Sequence, residues 1–132
     1  KQVTELCDAA AAAYPRESCG LLNGSGTELV LLSEARPSAN LAANPEMGFV
    51  VDPQVQFDAL RELRGTPFRI VGHYHSHPNG APTPSSIDVE MSQEPYAIWM
   101  IISVVMGAAA APRAFLLHNG SYYSEIQVKV LP

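Results

Sequence analysis

The alternation of apolar and polar positions divides this 132-residue chain into three helical stretches, one of them short, set among strand-like runs. Residues 2–13 are rich in strong helix formers, and Tyr14-Pro15 predicts where that helix stops, because proline disfavours the helical conformation in the residue before it. Residues 18–22 and 27–32 flank Asn23-Gly24-Ser25-Gly26, whose residues tolerate positive φ, and this arrangement predicts a hairpin with Glu17 where its first strand begins. Residues 33–48 contain Pro37 and Pro45 with little periodicity, as expected of a surface loop, and loops of this length are often functional. Asp52-Pro53 supplies an N-cap and a first helical proline. Val55, Ala59, Leu60 and Leu63 follow at helical spacing and Gly65 closes the second helix.

Residues 68–74 read as a strand that ends at the histidines, since Pro78, Asn79, Gly80, Pro82 and Pro84 cannot continue one. Ser85-Ser86-Ile87-Asp88 predicts the start of a short helix closed by Pro95. Strands are expected at 97–106 and 113–118, with Asn119-Gly120 turning into a last strand at 121–130. Helices and strands alternate only in part, so the expected class is α/β in the α+β sense, a mixed sheet with flanking helices in one domain over 1–132.

Composition narrows the field. Hydrophobic residues make up 47% and charged residues 16% of the chain, an ordinary globular balance that excludes a disordered tail. Thirteen acidic against eight basic residues give a net charge of −5 with no basic run, which argues against a nucleic-acid partner. The longest apolar stretch, 97–111, is broken by Ser103 and Gly107 and falls short of the ~20 residues that span a bilayer, so no membrane helix is expected. Cys7 and Cys19 are too few for a disulfide framework and are not spaced as a zinc knuckle. Two buried thiols in a reducing cytoplasm are the simple expectation, and no secretory leader pattern is visible after Lys1.

Candidate chemistry is concentrated in one place. His73, His75 and His77 alternate along a strand, so a period of two puts all three on one face. A catalytic zinc takes three protein ligands and leaves a fourth position for water. His75 and His77 can supply two of them, and Asp88, returned by the proline-rich turn, can supply the third. A plainer account exists for each residue. Strand histidines are commonly packed or solvated, Ser85-x-x-Asp88 could be a helix cap, and Glu17 could be a solvated charge beside Arg16. Periodicity alone does not connect Glu17 with the histidines.

Taken together, Glu17, His75-Ser76-His77-Pro78 and Asp88 ten residues further on, with Ser85 three before it, resemble the JAMM motif of MPN-domain metalloproteases. Pro15-Arg16-Glu17-Ser18-Cys19-Gly20-Leu21-Leu22 is similar to that family's glutamate segment. Residues 49–56 and Ile70-Val71-Gly72 are similar to the helix and strand that lead into its histidines. The resemblance covers roughly residues 3–105 and points to the family's small prokaryotic branch.

It implies an MPN fold, a cytidine deaminase-like curved mixed sheet flanked by helices, with one zinc ion on His75, His77, Asp88 and water. Glu17 is then the general base and Ser85 the oxyanion donor. His73 stands where the family usually has an apolar or aromatic residue and could tune or compete for the metal. The implied activity is hydrolysis of an amide bond after the C-terminal Gly-Gly of a ubiquitin-like or sulfur-carrier protein, releasing cysteine or another amine, with the 33–48 loop and the strand edge at 97 gripping the tail. The alternative is a noncatalytic MPN scaffold, whose members usually lack one or more of these residues. A nucleobase deaminase requires a Pro-Cys-x-x-Cys segment that this chain lacks. The DNA-repair relatives would bring a helix-hairpin-helix domain or a basic surface, and neither is visible. The oligomeric state is left open.

Overall fold

The structure, a computed structural model, describes residues 2–85, 98–118 and 122–129. Its elements run α1 (Gln2–Ala13), β1 (Cys19–Ser25), β2 (Leu31–Ser38), α2 (Pro53–Leu63), β3 (Arg69–Pro78), β4 (Ile98–Val105), β5 (Ala108–Ala109), β6 (Arg113–His118) and β7 (Tyr122–Ile126). They form a seven-stranded sheet of order β2-β1-β3-β4-β6-β7, with the short β5 paired to β4. Every pairing is antiparallel except β3 with β4, so the sheet is mixed, as expected. No helix among the described residues is long and apolar enough to cross a membrane.

The first two predicted helices form where their end signals stand. The Asp52 carboxylate accepts from the Gln54 amide at 2.9 Å with Pro53 at the first helical position, and beyond Leu63 Gly65 takes the left-handed conformation at φ 77°. The apolar spacing of α2 overstates its burial: Ala59 is fully buried, whereas Leu60 is half exposed.

Three boundaries differ from expectation, each because of cross-strand contact. The hairpin turns after Ser25, at Gly26 (φ 93°), rather than at 23–26. Asn23 is buried at a bulge and donates to Glu34 Oε1 at 2.8 Å, and a Cβ on Gly24 would run into the Leu31 carbonyl. Asn23 and Gly24 therefore serve strand approach and not the turn. β2 continues to Ser38, well into the stretch expected to be loop, because Ala35 packs on the core and the whole strand pairs with β1. As an edge strand it tolerates Pro37. β3 runs through the histidines to Pro78, since β4 lies parallel to it from Gly72↔Ile98 to Pro78↔Val104 and gives that backbone its partners. The helix expected from Ser85 falls, beyond Ser85 itself, on residues 86–97, and the Asn119-Gly120 turn falls on 119–121; both lie outside the described residues.

The two faces of the sheet are used differently. Leu6 and Ala10 of α1 pack with Leu22, Tyr74, Met100, Ile102, Val104 and Ala114 in the main core. The alternate positions Trp99 and Leu117 form a second buried cluster. Gly72 makes the β3–β4 approach possible, because a Cβ there would overlap the Ile98 backbone. Gly72→Ala is expected to lower stability by about 1–3 kcal/mol through this overpacking. Gly48→Ala, which nothing approaches within 4 Å, should stay within about 0.5 kcal/mol in the same urea titration.

Candidate metal centre

The site begins with strand register. Cys19 lies opposite His75 in the antiparallel β1–β3 pair, so the residues just before β1 run beside the end of β3. There Ser18 and Ser76 join the two segments: the Ser18 amide donates to Ser76 Oγ at 2.7 Å, the two hydroxyls meet at 3.2 Å, and the Ser76 amide donates to the Ser18 carbonyl at 3.0 Å. Ser76 is wholly buried, so these bonds form away from competing water. One residue to either side, Glu17 comes against the histidines. A Glu17 carboxylate oxygen and one ring nitrogen each of His75 and His77 lie within 4.8 Å of one another. Glu17 is 7% exposed and His75 is fully buried.

The imidazoles are oriented from behind. His77 Nδ1 lies 2.8 Å from the Ala81 carbonyl, which can only accept, so Nδ1 carries the proton and, in the neutral ring, Nε2 presents its lone pair. That lone pair points toward His75, with the two Nε2 atoms 3.0 Å apart. A tetrahedral zinc with bonds of ~2.0–2.1 Å holds two imidazole nitrogens about 3.3 Å apart, so the pair fits that ion after an adjustment of a few tenths of an ångström. Two imidazole nitrogens are also donor chemistry zinc takes. The turn supplying the Ala81 carbonyl is itself pinned. Asn79 adopts φ 56°, exchanges hydrogen bonds with the Tyr14 hydroxyl and accepts from the Met106 amide at 3.0 Å, while Ser103 donates to the Gly80 carbonyl at 2.5 Å.

Aromatic rings fix the other side. Phe49 stacks on His75 at 4.3 Å and 18°, and Trp99 meets His75 edge-on at 6.0 Å. His73 shares the face, as its spacing predicts. Its ring sits 4.7 Å from Trp99 and 5.5 Å from His75, and it is not part of the Glu17-His75-His77 donor group found among the described residues. Phe49 is carried by the segment after β2, just past the stretch expected to be loop (33–48). Asn40 organises that segment through hydrogen bonds to the carbonyls of Glu17, Pro45 and Gly48 and from the amides of Ala42 and Val50. Ser85 is exposed and follows the buried Pro84, at the end of a described segment; Asp88 lies outside the described residues. Sequence reasoning passed over Asn40, Phe49, Ser76 and Asn79 as working parts. Only Asn79-Gly80 carried a local signal, that of a turn.

Cys19 shares the neighbourhood without joining the donor group. Burial first, and the nearby Glu17 charge second, push its thiol up to about 11.

A mixed sheet that sets a carboxylate against a histidine pair at the end of a strand makes a candidate metal site. The chain belongs to the prokaryotic homologs of the JAB domain, whose family model matches residues 1–118. Among curated relatives, it is 33% identical over 96 residues to the desampylase of Haloferax volcanii, covering 73% of this chain and 68% of that one. It is 29% identical over 106 residues to a probable TtuB-protein conjugate cleaving protease of Thermus thermophilus, covering 80% and 65%. Among solved structures, a protein of Desulfitobacterium hafniense superposes with a TM-score of 0.79 at 28% identity, covering 96% and 86%. A JAB1/MPN domain protein of Archaeoglobus fulgidus superposes with a TM-score of 0.60 at 18% identity, covering 98% and 90%, a likeness of fold.

Ser76→Ala leaves the half-buried Ser18 amide without its side-chain acceptor and is expected to cost about 1–3 kcal/mol in urea unfolding. The Cys19 thiol is raised in the fold, so its contribution to stability is complete below its ordinary value of 9.0 and is lost as pH rises toward about 11. Stability of the parent should therefore fall more steeply than that of Cys19→Ala between those two values; parallel curves would show that Cys19 does not titrate with unfolding.

Proposed function

We propose that this chain is a zinc-dependent peptidase that hydrolyses the amide bond after the C-terminal Gly-Gly of a ubiquitin-like or sulfur-carrier protein, releasing the amine joined there. The observation that carries the reading is the meeting of the Glu17 carboxylate with the His75-His77 pair within 4.8 Å, in a chain of this family. The relatives named as a desampylase and as a TtuB-protein conjugate cleaving protease support the substrate class.

In this reading His75, His77 and Asp88 hold one zinc ion. When bound, the metal supplies Lewis acidity, which polarises the scissile carbonyl and brings the pKa of water to about 7. Glu17 accepts a proton from the attacking water as the new C–O bond forms, and delivers it to the leaving nitrogen as the C–N bond breaks. Its burial keeps bulk water from diverting that proton. His77, held by Ala81 through Nδ1, keeps Nε2 free of a proton and directed into the site. Ser85 donates a hydrogen bond to the oxygen on which negative charge develops. The Asn40-organised segment beside Glu17 and His75 forms one wall along which an extended tail lies.

The test is cleavage of a Gly-Gly-tailed carrier adduct by zinc-loaded protein beside Glu17→Gln. The parent is expected to cleave. The variant should bind the same amount of zinc and lose turnover by about 10²–10⁴-fold, the range for removal of a general acid–base. A parent that carries zinc but leaves the adduct intact would mean another substrate or a scaffold role, and failure to bind zinc at all would defeat the proposal.

A further inference from the structure

We infer that Asn40 is a positioning residue for this reaction, holding the Glu17 segment and the Phe49 ring over His75 in one arrangement through a single side-chain amide. The inference rests on the proposed function and deepens it.

Asn40 is half-buried just beyond β2, and an isolated bridge joins it to Val51, so its backbone closes the loop that its side chain fills. Nδ2 donates to the Glu17 carbonyl at 3.0 Å and the Gly48 carbonyl at 2.9 Å, with a longer contact to the Pro45 carbonyl at 3.4 Å. Oδ1 accepts from the amides of Ala42 at 3.0 Å and Val50 at 3.1 Å. The Glu17 amide in turn donates to the Pro45 carbonyl at 2.7 Å. Both backbone polar groups of Glu17 are therefore held by this loop, and the Val50 and Gly48 contacts lie on either side of Phe49, whose ring stacks on His75.

The amide is used at both ends. Its two donors face carbonyls and its oxygen faces amides, so only one orientation satisfies the site and no other side chain of the same size can fill both roles. An aspartate would turn acceptor oxygens toward the Glu17, Gly48 and Pro45 carbonyls. The loop would then shift the carboxylate and the ring together, while β3 still carries both histidines within the sheet. Proton transfer is sensitive to such a shift, since misplacement by about 1 Å can cost on the order of 10²-fold in rate.

The experiment compares zinc-loaded parent with Asn40→Asp, and reads turnover of a Gly-Gly-tailed adduct together with the His75 ring resonances in a proton–carbon NMR spectrum. The expected result is a fall in kcat of about 10–100-fold with KM within about twofold. The His75 ring resonances should move as the Phe49 ring current is lost. Unchanged kcat with unchanged resonances overturns the inference, and so does a rise in KM alone, which would make Asn40 a substrate contact. If Asn40→Asp does not fold, Asn40→Ala is read in the same way; loss of the fold in both makes Asn40 purely structural and overturns the assignment. A parent that binds zinc but cleaves no adduct defeats the proposed function separately. The resonances then decide the positioning by themselves, moving if Asn40 holds Phe49 and staying if it does not.

Discussion

At one end of the β1–β3 pair, Ser18 and Ser76, 58 positions apart in the chain, are joined by an exchange of hydrogen bonds. That exchange sets the register in which Cys19 faces His75. Slipping the pair by one residue would turn the histidines toward α1 and the core residue Tyr74 toward the donor face, because side chains alternate along a strand. Burial of Tyr74 against α1 and burial of Ser76 between the strands therefore enforce the same alignment that places Glu17 at the histidine pair.

The sheet separates stability from chemistry. The positions facing α1 are Leu22, Tyr74, Met100, Ile102 and Val104, large apolar groups that the helix covers. The alternate positions of β3 hold His73, His75 and His77; the rings of His73 and His75 pack against Phe49 and Trp99, and that of His77 against His75. An imidazole in such a ring assembly keeps its nitrogens at the edge, where a hydrogen bond can set them. The Ala81 carbonyl does this for His77, and it is delivered by a turn whose left-handed Asn79 is fastened to α1 through Tyr14 and to the β4–β5 connection through Met106. The parallel β3–β4 pair adds the last restraint, since Gly72 lets the two backbones close at the start of the strand that ends in the site.

Connecting segments do as much as strands. The stretch from Asn40 to Val51 has almost no regular structure, yet its polar groups converge on one side chain and its single aromatic residue lies on His75. A loop tied in this way has few conformations left to lose, so the carboxylate beside it is held before a substrate arrives, the condition under which a proton acceptor is effective.

Local chemistry written along the chain determined α1, α2 and its Asp52-Pro53 cap, the mixed character of the sheet, and the common face of the three histidines. The helices and the histidine face follow from propensity, capping or a period of two, which act between near neighbours, and the mixed sheet from the order of the elements so found. The resemblance carried by Glu17, His75, His77, Ser85 and Asp88 also named the family before any contact was visible. Only the tertiary structure decided where the hairpin turns, how far β2 and β3 run, and that Asn40, Phe49, Ser76 and Asn79 are parts of the site. A strand ends where its partner ends, and Asn40 becomes part of the site only because the folded loop brings it to the Glu17 carbonyl, 23 positions away. Such facts depend on pairing across tens of residues, which no window of local sequence contains.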